Sequence, residues 1–567
     1  MKKIYSLIAS AIVAVGFTAC TQSDLLEGST SDASLTSADN AIQFDTYMGK
    51  IGTTRADDYS AGPITNGEPT DDNSLKNAKF GVFAYYTHNA VDANANYDPT
   101  NTSTTPSNIA PNFMYNQQIR WSTSDPTNMW VYSPVKYWPN GVDKKNGGSG
   151  DPSDNATQEE IQKLSFFAVA PFTETPSTAY DASTDGDRPA QITSDVSVKK
   201  NDVTKGINAM TTNAFTGNVW VKYLMPNANE AEAVDLLWGV RGQKVYSETD
   251  GTDNGASTDL LGNTYNLNLT KQIVGEKVKF LFKHALAKIG GNTEETETYE
   301  EPASNTCGFQ IKLDVDGNSG DDQNTFLGTN FTKDKTLVTV EKVEIMDGAS
   351  AATAGIATSG TTSNLANSGW FNIEQGKWEN VEVATTGSTY SITADKDNTL
   401  VTDETYSLNP NIKEGTINVK SSTIASDNWS ATSTDNAYTG GATGVVVDAQ
   451  PLFAKENVPG LMVIPGGSQT LWVRIKYYVR TLDANLSKKY TEVAQTITNT
   501  VDLSSLQSNK YYKIIIHLGL TSVKFEAVVA DWETTSDGTY AEDGTYTPGS
   551  TPNEAKVWLP SNVVPAP

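Results

Sequence analysis

The sequence predicts an all-β fold, on three observations. Apolar runs are short, rich in Val, Ile, Phe, Tyr and Trp, and often alternate with polar residues, which is the period of a strand with one buried face. Gly and Pro, 43 and 23 of the 567 residues, punctuate the chain and leave little room for long helices. Helical signals are scarce: the best spans residues 285–289, too short to outweigh the strand pattern of residues 278–282 just before it.

The chain opens with Lys2 and Lys3, an apolar run over residues 7–17, and then Phe17-Thr18-Ala19-Cys20. That order reads as a bacterial lipoprotein signal, in which residues 1–19 are removed and Cys20 becomes the lipidated N-terminus. An ordinary secretory signal with cleavage nearby is the alternative. The apolar run falls short of the roughly 20 residues that a spanning helix needs, and no later run approaches that length. Residues 20–40 are rich in Ser, Thr, Asp and Glu and read as a disordered tether.

Beyond the tether, polar stretches such as 57–78, 92–112, 173–217 and 421–445 read as surface loops or insertions. They dilute the core-forming residues, which fits a hydrophobic content of only 37%. Between them lie strand candidates. Leu461-Met462-Val463-Ile464 leads through Pro465-Gly466-Gly467 to an alternating run at 471–479, for which a hairpin is the simplest account. Residues 511–518 and 523–529 follow at the spacing of a sandwich. Residues 80–85 with Tyr137 and Trp138 are expected in a first core, and Trp472, Tyr477 and Phe525 in a second.

Charge and residue usage exclude several functions. Removing Lys2 and Lys3 with the signal takes the net charge from −26 to −28, so the basic footprint of a nucleic-acid binder is missing. Besides Cys20 there is only Cys307, which rules out an intramolecular disulfide framework and a Cys-based zinc site. The three histidines, His88, His284 and His517, lie in or beside apolar segments, and none is spaced as a metal pair or beside a nucleophile. His284 reads as a hydrogen-bonded core group. The acidic run at 314–322 departs from a calcium loop, with Ser319 and Thr325 where glycine and a bidentate glutamate belong, and reads as a turn. Trp121, Trp130 and Trp138 read as core rather than as a sugar platform. No catalysis, cofactor or metal is expected.

The order of motifs adds a resemblance. Ile42-Gln43-Phe44, Thr53-Thr54-Arg55-Ala56, Phe80-Gly81-Val82-Phe83-Ala84-Tyr85 and Trp130-Val131-Tyr132-Ser133-Pro134-Val135-Lys136-Tyr137-Trp138-Pro139 appear in sequence. They are followed by Leu164-Ser165-Phe166-Phe167-Ala168, Asp235-Leu236-Leu237-Trp238, the run 278–289 and the block 512–532. Behind a lipoprotein signal, this series resembles the fimbrillin family of type V pilus subunits over residues 41–533. The resemblance implies two tandem transthyretin-like antiparallel β-sandwich domains with long loop insertions, over 41–275 and 276–533. It implies a precursor carrying palmitate, at the outer membrane of a Gram-negative bacterium, that ends in a surface fimbrium used for adhesion.

By the same resemblance, the first strand, with Ile42, Phe44 and Tyr47, is removed by an arginine-specific protease that cuts between Arg55 and Ala56. The alternative for Arg55 is a solvated loop arginine. The vacated sheet edge is then filled by a strand from another copy or a related pilus subunit. Residues 534–567 read as a linker and a candidate donor strand, with Val557, Leu559 and Val563 as plugs and no evident partner in the chain; the alternative is a tail that folds back on its own domain. Expected partners are therefore other subunits, a lipid anchor on the precursor, the protease, and host or bacterial surface ligands. The competing function is an outer-membrane-tethered glycan-binding lipoprotein that does not polymerise.

Overall fold

The computed structural model describes residues 41–47, 59–88, 111–124, 128–139, 142–144, 159–174, 178–179, 198–201, 203–213, 217–241, 266–269, 277–291, 308–313, 336–356, 365–383, 388–397, 405–409, 449–453, 458–483, 485–487, 490–518, 523–531, 539–540, 546–547, 555–559 and 561–564. Cys20, Arg55, Ala56, Cys307 and the acidic run at 314–322 lie outside the described residues.

Among the described residues the fold is all-β, in four large sheets with two short helices, Leu75–Ala78 and Gly348–Thr353. Alternation decides which face each strand buries. Val278–His284 buries Val278, Phe280, Phe282 and His284 and leaves Lys279, Leu281 and Lys283 half-exposed. The first sheet runs Phe44–Tyr47, Val278–His284, Leu237–Arg241, Glu159–Ala170, Phe80–His88, Met114–Ser122 and Met129–Val131, with Val142–Lys144 and Asn266–Leu269 also paired to Glu159–Ala170. Both of its faces are apolar. Phe80, Val82, Phe166, Phe280 and Phe282 face one cluster together with Ile42 and Phe44, whereas Phe83, Tyr85, Phe167 and Trp238 face a second, larger one.

Sheet pairing crosses the expected division at 275/276. Val278–His284 belongs to the first sheet, and the next strand, Ala287–Ile289, pairs with Leu461–Val463 and Lys510–Leu518 in a seven-stranded sheet. The chain thus changes sheets within residues 284–287. The Ser368–Asn372 and Lys377–Glu382 hairpin reaches back to complete a six-stranded sheet beside Val219–Leu224. Gly376 in its turn has φ +62° and lies so near Trp238 that a Cβ there would stand 2.1 Å from the indole, so only glycine fits.

Two expectations are corrected. Leu461–Val463 and Thr470–Leu482 do not form a hairpin: the first lies in the seven-stranded sheet, the second pairs with Thr336–Met346 and Tyr490–Asp502 in another. The loop between them crosses from sheet to sheet. Gly466 and Gly467 take positive φ, and the buried Gln469 amide donates to the carbonyls of Ile464 and Gly466, which fixes the crossing. Tyr137 is 46% exposed while its neighbour Trp138 is 5% exposed, because consecutive residues of an extended segment face opposite sides. Tyr477 and Phe525 sit in the larger core; Trp472 is buried on the other face of its strand, against Met346, Ala351 and Ile356. Four pairings among the described strands are parallel, one of them that of the first strand.

Candidate functional site: the seat of the first strand

The Phe44–Tyr47 strand runs parallel to Val278–His284, with Phe44 opposite Val278 and Tyr47 opposite Leu281. Its other edge is also bonded. The amide of Ile42 donates to the Lys136 carbonyl at 2.9 Å, and the Tyr132 hydroxyl donates to the Ile42 carbonyl at 2.8 Å. Residues 132–137 therefore form a strap opposite the parallel ladder, and the start of the chain's first sheet lies between the two.

Side chains seat the strand by a period of two. Ile42 and Phe44 are 1% and 2% exposed. The Phe44 ring meets Tyr132 and Phe166 edge-on at 5.5 and 5.9 Å and stacks on Phe280 at 6.0 Å. Thr46 takes the third inward position, where its hydroxyl accepts from the Trp130 indole at 3.0 Å. Burial pushes the Tyr132 phenol above its ordinary tyrosine value, so it stays protonated and remains a donor. The seat is a groove with apolar pockets, one indole donor and one phenol donor.

The C-terminal segment has partners within the chain, contrary to the expectation that it lacks them. Ala555–Leu559 pairs antiparallel with Val523–Asp531, and Ser561–Val564 pairs antiparallel with Tyr490–Asp502, where Val563 lies opposite Asn499. Both are outermost strands of their sheets, and Pro560 lies between them. Leu559 is buried and Val557 is 40% exposed. The tail folds back on its own sheets here.

The histidines whose side chains are described each sit in a buried pair with a carboxylate. His284 Nδ1 lies 2.7 Å from Asp235 Oδ2, and both residues are fully buried. That carboxylate also accepts from the amides of Ile64 and Leu236. Burial first, and then the Asp235 charge, push the neighbouring Tyr59 and Tyr223 phenols well up. His517 Nε2 lies 2.8 Å from Glu526 Oε2 across two strands. His284 is thus a bonded core group, as its apolar strand predicts. Trp130 and Trp138 are buried and Trp121 packs on the same cluster beneath Lys76, so these three form no exposed platform.

Sequence reasoning named Ile42 and Phe44 but missed Thr46, Trp130 and Tyr132 as parts of one seat. The period of two from Ile42 points to Thr46, yet nothing local shows that its hydroxyl meets an indole 84 residues away. The side chains of Tyr47 and Val563 lie outside the described residues.

No protein-family model matches the chain. No solved structure matches it either. Over 118 residues it is 35% identical to the fimbrium subunit Fim1C of Phocaeicola vulgatus. The matched stretch covers 21% of this chain and 22% of that protein, so the likeness spans about a fifth of the relative.

Proposed function

We propose that this chain is a structural subunit of a surface fimbrium. It is exported as a lipoprotein precursor acylated at Cys20, cut after Arg55, and polymerised by strand exchange. The supporting observation is the placement of the first strand: it lies at the edge of its sheet, fills an apolar groove with Ile42 and Phe44, and precedes the segment that carries Arg55. A cut at Arg55 leaves that strand attached only by non-covalent contacts.

Loss of the strand exposes the N–H and C=O groups of Val278–His284 beside apolar pockets, which is a template for another strand. A replacement regains about 1 kcal/mol net per main-chain bond and about 25 cal/mol per Å² of apolar burial. The donor in this reading is the tail of a second copy or of a related subunit, with Val557, Leu559 and Val563 as candidate plugs. Because both tail strands are outermost, lifting them disrupts no interior ladder. The similarity to a fimbrium subunit supports the same structural role, at the cell surface and in company with other pilus subunits.

The mature N-terminus tests the reading. Protein taken from surface fibres should begin at Ala56 and carry no lipid. A surface form that begins at acylated Cys20 contradicts it and fits a tethered binder instead.

A further inference from the structure

The seat treats the strand's backbone and its side chains differently. Tyr132 donates to a main-chain carbonyl, that of Ile42, which any residue supplies, so it fixes register without asking for a sequence. Trp130 donates to a side-chain oxygen, that of Thr46, which apolar residues lack and which a short hydroxyl side chain places at this distance. Its indole has little freedom to turn away: the ring meets Phe80 edge-on at 4.9 Å and Trp121 at 5.3 Å, and the residue is 6% exposed.

From this geometry we infer that Trp130 is a specificity-determining residue of the groove, admitting strands that carry a small hydroxyl side chain four positions after the first apolar anchor. The inference rests on the strand-exchange reading and adds to it a rule for which strands fit. When the groove is open, water satisfies the indole N–H. A strand with an apolar side chain at that position displaces the water and leaves a buried donor unpaired, whereas serine or threonine restores the bond. Ile42, Phe44 and Thr46 form an apolar, apolar, hydroxyl series at alternate positions, and the tail repeats it as Val557, Leu559 and Ser561.

The test uses the full chain with an inserted protease recognition sequence between residues 48 and 57, cut so that the first strand remains as a displaceable peptide. Labelled peptides of residues 41–50 then compete for the seat: the natural sequence, Thr46→Ser and Thr46→Val. Thr46→Ser should bind within about threefold of the natural peptide, and Thr46→Val about tenfold or more weakly. In a Trp130→Phe chain, which keeps a ring but lacks the donor, the natural and Thr46→Val peptides should bind nearly equally. Equal binding of the two by the natural chain, or a preference that survives Trp130→Phe, overturns the inference while leaving strand exchange in place. Failure of every peptide, the natural one included, to enter the seat overturns the strand-exchange reading and this inference with it.

Discussion

Tyr132 donates its hydroxyl to the Ile42 carbonyl at 2.8 Å, across 90 positions of sequence, and closes the outer edge of the first strand. The ring that positions the hydroxyl also packs on Phe44 at 5.5 Å, so one residue supplies both a bond and a wall. Tyr132→Phe separates them. It should keep the packing and lose the bond, which loosens the strand by about 1 kcal/mol. Hydrogen exchange at the amides of Ile42 and Thr46 should then quicken about fivefold with global stability little changed; unchanged exchange would show that the strap does not hold the strand.

The Ser368–Asn372 hairpin is tied to the first half of the chain through Glu374. This buried carboxylate accepts from the Tyr85 hydroxyl, and its Oε1 and Oε2 both accept from the Val219 amide, at 2.8 and 2.7 Å. Glu374→Ala leaves the buried Val219 amide without its acceptor, while the Tyr85 hydroxyl keeps the Gly217 carbonyl at 2.8 Å, and should cost about 1–3 kcal/mol in chemical denaturation. Glu374→Gln, which keeps an acceptor, should cost less.

One cluster of buried residues runs from Phe83 and Phe167 through Trp238 and Phe371 to Ile514 and Phe525, so the sheets of the two halves share a core. Calorimetry on the chain should therefore show one unfolding transition. Two resolved transitions would mean that the halves unfold independently despite this packing.

Glu344 gives a pH signature. Burial alone raises its carboxyl, but the hydrogen bonds and charge of Arg474, with Lys342, outweigh it and hold the group below the ordinary 4.5. The Arg474 Nη2–Oε1 distance is 2.8 Å. A group depressed in the folded state adds stability above its unfolded value and loses it as the pH falls through the folded one. Glu344→Gln should thus cost about 2 kcal/mol near neutrality, with the difference from the natural chain shrinking as the pH falls below the ordinary carboxyl value of 4.5 in matched denaturation curves.

Much of the sheet structure is legible in the sequence because burial leaves a period of two. Val278–His284 shows it at every position, and the strand reading there survives the helix-like residues that follow. Partnership is less legible. Residues 461–464 and 471–479 both look like strands, but the period says nothing about which sheet each joins, and the buried Gln469 contacts that send the chain across are visible only in space. The tail illustrates the same limit, since its apolar pattern suits a partner in its own chain as well as one in a neighbour. The seat was half legible: Ile42 and Phe44 stand out as apolar, while Thr46 gains its role from a tryptophan far along the chain.

Sedimentation of the chain before and after cleavage in the segment that carries Arg55, with and without residues 554–567, tests strand exchange most directly. The account predicts that the cut chain assembles end to end, that the uncut chain remains monomeric, and that the cut chain lacking the tail remains monomeric as well. A cut chain that has lost its first strand and stays monomeric, or a tailless chain that assembles as readily as the natural one, contradicts it.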